Sequence, residues 1–353
     1  MIFLYILLAL LALIIVITFW LKGENLSKYD VNPPVTFECD PDSEGLQIVN
    51  QSLYDNFIKP AKGHKGGEPI KAKRDRFDEV GLAGTYPSTF TPLMIGDISG
   101  EWVTSKKSDP NKRILYIHGG AFTVGSAVSH RAITSKLAEL TGASVCVINY
   151  RLMPEHPRQA GIEDSITAYK WILENGPDGP ARVHKLCVSG DSAGGNLTLR
   201  VLQWARDNNV RAADAAVPLS PLADASCSGK TIKTNMATDN MLRPLIGHLV
   251  NIWWPLLLWG TWHNTKHSPS SPVISPIFGK LSNLPPTLIH ASSSEILYDD
   301  ACRYVEKATR AGSDASLQSW SNMPHVWQIF TPVLPEAHDS MVEIARFLKK
   351  HGF

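Results

Sequence analysis

An α/β architecture, with a mainly parallel central sheet, helices on both faces, a helical cap and one N-terminal transmembrane helix, is predicted from three observations. After Pro92, short apolar runs of strand length alternate with stretches of helical spacing. Those runs are continuous in Val, Ile and Leu, as strands buried on both faces of a parallel sheet must be. Ile2 to Leu21 carries no charge at all.

The elements follow in chain order. At about 1.5 Å per residue the segment Ile2 to Leu21 spans a bilayer core of about 30 Å. A cleaved signal would be shorter, preceded by basic residues and followed by small ones, so residues 1–22 are expected to be an uncleaved membrane anchor. Lys22 and Lys28 sit among Glu24 and Asp30, which leaves the orientation open. The sequons at Asn25, Asn50 and Asn196 matter only on a lumenal face, where the protein would be a glycoprotein.

Residues 23–92 read as linker and the N-terminal part of the cap. Asn32-Pro33-Pro34 and Gly63 to Gly67 mark loops, and apolar residues from Leu46 to Phe57 keep helical spacing. Residues 93–353 form the main domain. Its expected strands are Ile114 to Ile117, Ser144 to Tyr150, Lys185 to Ser189, Ala215 to Leu219 and Thr287 to His290. Its expected helices are Ala132 to Leu140, Ile162 to Glu174, Gly194 to Asp207 and Asp299 to Ala311.

One region interrupts the alternation. Between Ser226 and Ser271, four of the ten Trp of the chain (Trp253, Trp254, Trp259 and Trp262) crowd together. Arg243, Pro244, His248 and Pro255 argue against a second membrane span there, so residues 226–271 are expected to be an apolar cap insertion over a pocket.

Composition narrows the function. With 34 basic and 33 acidic residues the formal charge is +1, and no global field draws in nucleic acid, which is not expected as a partner. Five scattered cysteines make no CxxC pair and no Cys/His cluster, so neither a disulfide framework nor a metal site is expected. Cys146 and Cys187, inside apolar strands, read as buried hydrophobes.

The strongest chemical signal is Gly190-Asp191-Ser192-Ala193-Gly194, a G-x-S-x-G pattern between the strand KLCVS and a helical run. Such a turn exposes the serine hydroxyl as a nucleophile, and its tightness demands small neighbours at Gly190 and Gly194. The helix beginning behind Ser192 favours negative charge there. A second element, His118-Gly119-Gly120-Ala121-Phe122, follows the strand ILYI. Backbone N–H groups of Gly119, Gly120 and Ala121, with that of Ala193, are the candidate oxyanion hole. His118 reads as a residue that fixes the loop.

In this kind of site the acid and the histidine follow the serine along the chain. His290, His325, His338 and His351 are the available bases; Glu295, Asp299 and Asp300 follow the strand TLIHA. Asp299 and Asp300 are expected to cap or solvate the helix after them.

HGGAF, NYRLMPEHP (Asn149 to Pro157), GDSAGGN and SPVISPIFGKLSNLPPTLIHASSSEILYDDA together resemble the hormone-sensitive-lipase-like family of α/β hydrolases, from about Leu115 to the C-terminus. Anchor plus domain resemble the membrane-bound arylacetamide deacetylases and the fungal sterol-ester and secondary-metabolite esterases. The resemblance implies an α/β-hydrolase fold and cofactor-free hydrolysis of short acyl, above all acetyl, esters of hydrophobic alcohols, by a single-pass protein of the endoplasmic reticulum membrane. It also implies His325, after LQSWS, as the base and Glu295, in SSSEIL, as the acid. Ala121 departs from the pattern, since many members carry a third glycine there. Three other readings share these residues: an arylamide deacetylase, a long-chain lipase, and a ligand-binding fold without catalysis. Matched acetyl esters and amides, an acyl-length series and a serine-reactive fluorophosphonate probe separate them.

Overall fold

The computed structural model of the chain describes residues 1–59, 69–247 and 251–353, so the Gly63 to Gly67 loop and His248 lie outside the described residues. Eight strands make one sheet: β1 Thr89–Ile95, β2 Ile98–Thr104, β3 Asp109–Ile117, β4 Ala143–Ile148, β5 Lys185–Asp191, β6 Ala215–Leu219, β7 Thr287–Ser292 and β8 Ala315–Trp320. Their order is β1-β2-β4-β3-β5-β6-β7-β8, with antiparallel pairing at β1/β2 and β2/β4 and parallel pairing from β4 to β8.

The principal helices are α1 Ile2–Lys22, α2 Glu44–Leu53, α3 Ile70–Ala83, α4 Arg131–Thr141, α5 Arg158–Ile172, α6 Ser192–Asp207, α7 Trp254–Thr265, α8 Tyr298–Arg310 and α9 Pro335–Lys350. Alternate residues of each central strand feed opposite faces. Leu115 and Ile117 of β3 join Cys146 and Ile148 of β4 in one cluster with Ile162 and Ile172 of α5, Leu197 of α6 and Tyr304 of α8. Ile114, Tyr116, Val145 and Val147 point the other way, against Ile133 and Leu137 of α4 and Ile344 and Leu348 of α9. Each such aliphatic side chain is fully buried, a contribution of about 1.5–3 kcal/mol apiece. Cys146 and Cys187 lie in these clusters as small apolar groups, and all five cysteines are free.

Two features of residues 23–92 differ from the expected linker. Ile70–Ala83 is a helix, and β1 begins at Thr89, so the first strand crosses the boundary expected at residue 92. β1 is the edge strand and mostly exposed, with only Phe90, Leu93 and Ile95 packed inward, so its apolar pattern is weak, and Pro92 is tolerated because an edge strand leaves some N–H positions unpaired. Helix α3 docks on the loops after β3 and β4: Arg74 forms a bidentate pair with Glu155 and donates to the carbonyls of Thr123 and Met153.

The Trp-rich insertion lies between β6 and β7 and holds α7, with Pro255 in its first turn, where a missing N–H costs nothing. Helix α1 is the one described helix long and apolar enough to cross a membrane. Most of it is bare, but Thr18 and Leu21 are buried, and α1 contacts α7. There Trp259 Nε1 donates to Thr18 Oγ1 at 2.9 Å, and Lys22 Nζ sits 5.2 Å from the Trp254 ring centroid. Of the three sequon asparagines, Asn196 is fully buried, Asn50 accepts a hydrogen bond from Asn240, and Asn25 accepts one from the N–H of Ser27.

Candidate active site

Ser192 stands where β5 turns into α6, with φ +52°, the strained left-handed conformation that a sharp strand-to-helix turn imposes. The flanking glycines are forced by close approach. A Cβ at Gly194 would lie 1.9 Å from the carbonyl oxygen of Ile117, and one at Gly190 would lie 2.4 Å from the same atom. The turn is thus pressed against the end of β3, which also launches the HGGAF loop.

His325 and Glu295 are brought together. Both are buried, and His325 Nδ1 donates to Glu295 Oε2, while Glu295 Oε1 accepts the N–H of Ser292 at 2.9 Å. Burial alone would push the imidazole pKa down; the adjacent Glu295 charge and its hydrogen bond outweigh that and raise it above the ordinary histidine value. His325 Nε2 is buried without a hydrogen-bond partner, and Ser192 Oγ makes no hydrogen bond to it among the described residues. Both turns are nonetheless tied to the loop after β6: Val326 N–H donates to Ser220 Oγ at 3.4 Å, and Leu222 N–H to Ser192 O at 3.2 Å. Catalytic contacts are often long before substrate binds. The insertion holds the Glu295 turn as well, since Asn235 Nδ2 donates to the carbonyls of Ser293 and Glu295 and Asp239 accepts the N–H of Ile296.

The other titratable candidates are placed elsewhere. His290 is buried on Trp327 with Nδ1 at Ser340 Oγ, and burial pushes its pKa down to about 3. His338 and His351 lie on and just after α9. Asp299 and Asp300 neither cap nor solvate α8. Asp299 accepts the N–H groups of Lys230 and Thr231 in the insertion, and buried Asp300 those of Ala223 and Asp224 in the loop leading into it, so both side chains hold that backbone in place of their own helix.

The HGGAF loop yields a correction. Gly119 N–H donates to Asp191 Oδ1 at 3.0 Å, so it is turned away from any substrate and is not an oxyanion donor. A Cβ on Gly119 would also lie 2.0 Å from that carboxylate. The N–H groups of Gly120, Ala121 and Ala193 make no hydrogen bond among the described residues. Gly120 has φ +107°, and Ala121 and Phe122 follow at +53° and +61°, a run of left-handed residues that turns successive amides outward. His118 is buried, stacks on Tyr150 at 4.4 Å and meets Gly119 O through Nδ1. Burial pushes its pKa down to about 3, so it stays neutral.

Asp191 anchors a network that sequence reasoning missed. It accepts Tyr116 Oη–H at 2.7 Å and Gly119 N–H, and it pairs with His130 Nε2 at 3.3 Å. His130 Nδ1 faces Ser126 O and Ser129 Oγ. Burial works against both charges, yet each supports the other: the His130 pKa is raised and that of Asp191 lowered. A histidine at the start of a helix carries no motif, and only the fold brings it to Asp191.

A cavity of about 720 Å³ opens beside Ser192 and is lined by Ala121, Phe122, Ala193 and, from the insertion, Trp253, Trp254 and Leu257. Among the described residues no group of histidine, cysteine and carboxylate side chains is arranged to hold a metal.

Comparison with known proteins agrees with this geometry. A family model described as alpha/beta hydrolase fold matches residues 114–329. An acetyl-hydrolase of Streptomyces hygroscopicus is 35% identical over 283 residues, covering 80% of this chain and 89% of that protein. An esterase of Acinetobacter venetianus is 30% identical over 72% of this chain and 80% of its own length. Among solved structures, an esterase from the bacterial hormone-sensitive lipase family superposes with TM-score 0.75 at 29% identity, covering 88% of this chain and 99% of that one. EstE5, soaked with p-nitrophenyl butyrate, also gives 0.75, at 31% identity and the same coverage.

Proposed function

The chain belongs to the hormone-sensitive-lipase-like family of α/β hydrolases and is a carboxylic ester hydrolase, and from that premise we propose that Ser192, His325 and Glu295 are its catalytic set. The observation that carries the assignment is the buried His325–Glu295 pair with Nε2 unpaired, next to a turn tied through the loop after β6 to the strained strand-to-helix turn that bears Ser192.

In this reading His325 Nε2 takes the Ser192 proton as Oγ attacks the ester carbonyl, and passes it to the departing alcohol. Water then attacks the acyl-enzyme, giving its proton to His325; the bond from the acyl carbon to Ser192 Oγ breaks, His325 returns the proton to Oγ, and the carboxylic acid leaves. Glu295 holds the imidazole in the tautomer with Nε2 open and stabilises its charge. Gly120, Ala121 and Ala193 supply the oxyanion donors, each worth about 3 kcal/mol in the transition state.

The apolar cavity favours esters of hydrophobic alcohols such as sterols or secondary metabolites, and the acetyl-hydrolase relative favours a short acyl group. Helix α1 would cross the membrane of the endoplasmic reticulum once. Its contact with Trp254 and Trp259 would set the Trp-lined cavity beside the bilayer, where Trp and Lys side chains favour the interface. The test is labelling by a fluorophosphonate probe and hydrolysis of p-nitrophenyl acetate. Both should be present in the wild type and absent in Ser192→Ala; an unlabelled wild type, or undiminished hydrolysis by the variant, refutes the assignment. Alkaline carbonate extraction tests the anchor, which should stay in the pellet, and deletion of residues 2–22 should release it.

A further inference from the structure

Arg158 begins α5 and lines the cavity together with Ser192. It is only 6% exposed, and its guanidinium makes one hydrogen bond, from Nη2 to Asn196 Oδ1 at 2.7 Å. Its central carbon lies 3.1 Å from the Phe122 ring centroid, and Nε is buried without a partner. Among the described residues no carboxylate pairs with it. Of the other strongly buried arginines, Arg303 pairs with Asp30, while Arg113 has no carboxylate among the described residues and an unpaired Nη2 but donates through Nε and Nη1 to the carbonyls of Pro110 and Ile172 and does not line the cavity.

A buried cation without a counter-charge is costly, and such a group persists where something it binds compensates the cost. Burial pushes the Arg158 pKa down to about 9, which expresses the same missing partner. Its position ties it to the reaction. Asn196 lies one helical turn beyond Ser192 on α6, and Phe122 follows Ala121 in the loop proposed to hold the oxyanion. The cavity lining also carries Lys230, whose Nζ is paired with Asp30, and Lys233, with no ion pair among the described residues, against a single lining carboxylate, Asp224. The oxygens of Asp224 are already taken by the N–H and hydroxyl groups of Ser226 and Ser228. The balance of free charge facing the cavity is positive, while most of its wall is apolar. One deep guanidinium in an apolar wall suits a singly charged planar anion.

We propose that Arg158 is a specificity-determining residue that binds a carboxylate on the substrate, so that the preferred esters are amphiphilic, with an apolar body and one carboxylate near the scissile bond. This rests on the ester-hydrolase reading of Ser192 and narrows its substrate class.

The test compares kcat/KM within pairs of esters on the full-length enzyme in detergent. Mono-p-nitrophenyl glutarate against its methyl ester carries the carboxylate on the acyl side. Para-acetoxybenzoate against its methyl ester carries it on the alcohol side. At least one acid should exceed its methyl ester by about tenfold or more, because a site built for a polar group rejects the analogue lacking it. Arg158→Gln should bring that ratio to about one, and Arg158→Lys should retain part of it. A general loss of activity from disturbing Phe122 divides out of the ratio, so a merely structural Arg158 would leave it unmoved. Wild-type hydrolysis of the neutral esters with no preference for either acid overturns the proposal alone, without need of a variant. So does a preference that Arg158→Gln retains. Failure to hydrolyse any ester, with Ser192 unlabelled by fluorophosphonate, overturns it together with the reading beneath it.

Discussion

The molecule holds two buried histidine–carboxylate pairs close to the nucleophile turn, His325 with Glu295 and His130 with Asp191, and they differ in what each imidazole has left to offer. His325 spends Nδ1 on Glu295 and keeps Nε2 free. His130 spends Nε2 on Asp191 and directs Nδ1 at Ser126 O and Ser129 Oγ. In both, the neighbouring carboxylate raises the imidazole pKa against the pull of burial. A charge partner alone therefore does not make a base; a nitrogen left open is needed as well. The first pair is equipped to move a proton, and the second to hold a loop, because Asp191 also grips Gly119 N–H beneath the oxyanion loop.

The sharpest way to break this contrast is to delete each imidazole. His325→Ala should lower kcat on p-nitrophenyl acetate on the order of 10⁴-fold or more, as removal of the base does in serine hydrolases, besides the stability lost through the stranded Glu295 charge. His130→Ala should also cost stability, about 3–5 kcal/mol through the stranded Asp191 charge, but with a much smaller drop in kcat in the protein that remains folded. Equal losses of kcat in both folded variants would erase the distinction.

A second prediction separates charge from geometry within the first pair. Glu295→Gln keeps the shape and should cost on the order of 10²–10⁴-fold in kcat/KM. Burial acts to lower the His325 pKa, and the Glu295 charge reverses that. Removing the charge leaves burial unopposed, so the ascending limb of the kcat/KM profile should move to lower pH. A limb that stays in place would mean that His325 is not the group titrating.

The second pair should appear in the pH dependence of stability. The raised His130 pKa contributes stability that is complete below the unfolded value of about 6.5 and is lost as pH rises through the folded value. The lowered Asp191 pKa contributes stability present above about 3.9 and lost as pH falls through its folded value. His325 has the same sign as His130, so the useful quantity is the stability of wild type minus that of His130→Ala, in which His325 cancels. That difference should be largest between the two limits and should shrink on the order of 1 kcal/mol as pH climbs past the His130 transition. A difference that grows with pH would show that His130 is buried neutral.

What could be read from the sequence follows the same divide. Ser192, Gly190 and Gly194 were legible because a strand-to-helix turn dictates its chemistry locally, within five residues of chain. The central strands were legible because continuous apolar runs have few other destinations. Glu295 and His325 were reached only through a family resemblance added to their order after the serine, and their contact spans thirty residues. The Asp191 network was not legible: Tyr116, His130 and Asp191 come from three separate elements, and none is marked by its neighbours in sequence. Gly119 was misread for a related reason, since glycine announces that an amide is accessible but not which acceptor it faces. The β1–β2 edge and α3 escaped because partly exposed elements bury too little apolar surface to leave a clear period.

The smallest effect on catalysis, and the finest test of the contrast, is expected from Tyr116→Phe. The change removes only the 2.7 Å hydrogen bond from Tyr116 Oη–H to Asp191 Oδ1, leaving the ring in its apolar cluster and the contacts of His130 and Gly119 intact. A buried hydrogen bond to a charged group contributes about 1.5–3 kcal/mol, which sets the stability loss. That bond helps to hold the Asp191 pKa down, so without it the acid limb of stability should move to higher pH. If the pair serves to hold the loop, kcat should stay within about tenfold of wild type, because Gly119 keeps its acceptor and the amides of Gly120 and Ala121 keep their direction. A collapse of kcat at unchanged folded fraction would place the His130–Asp191 pair in the proton chemistry beside His325, and the division of labour between the two pairs would have to be abandoned.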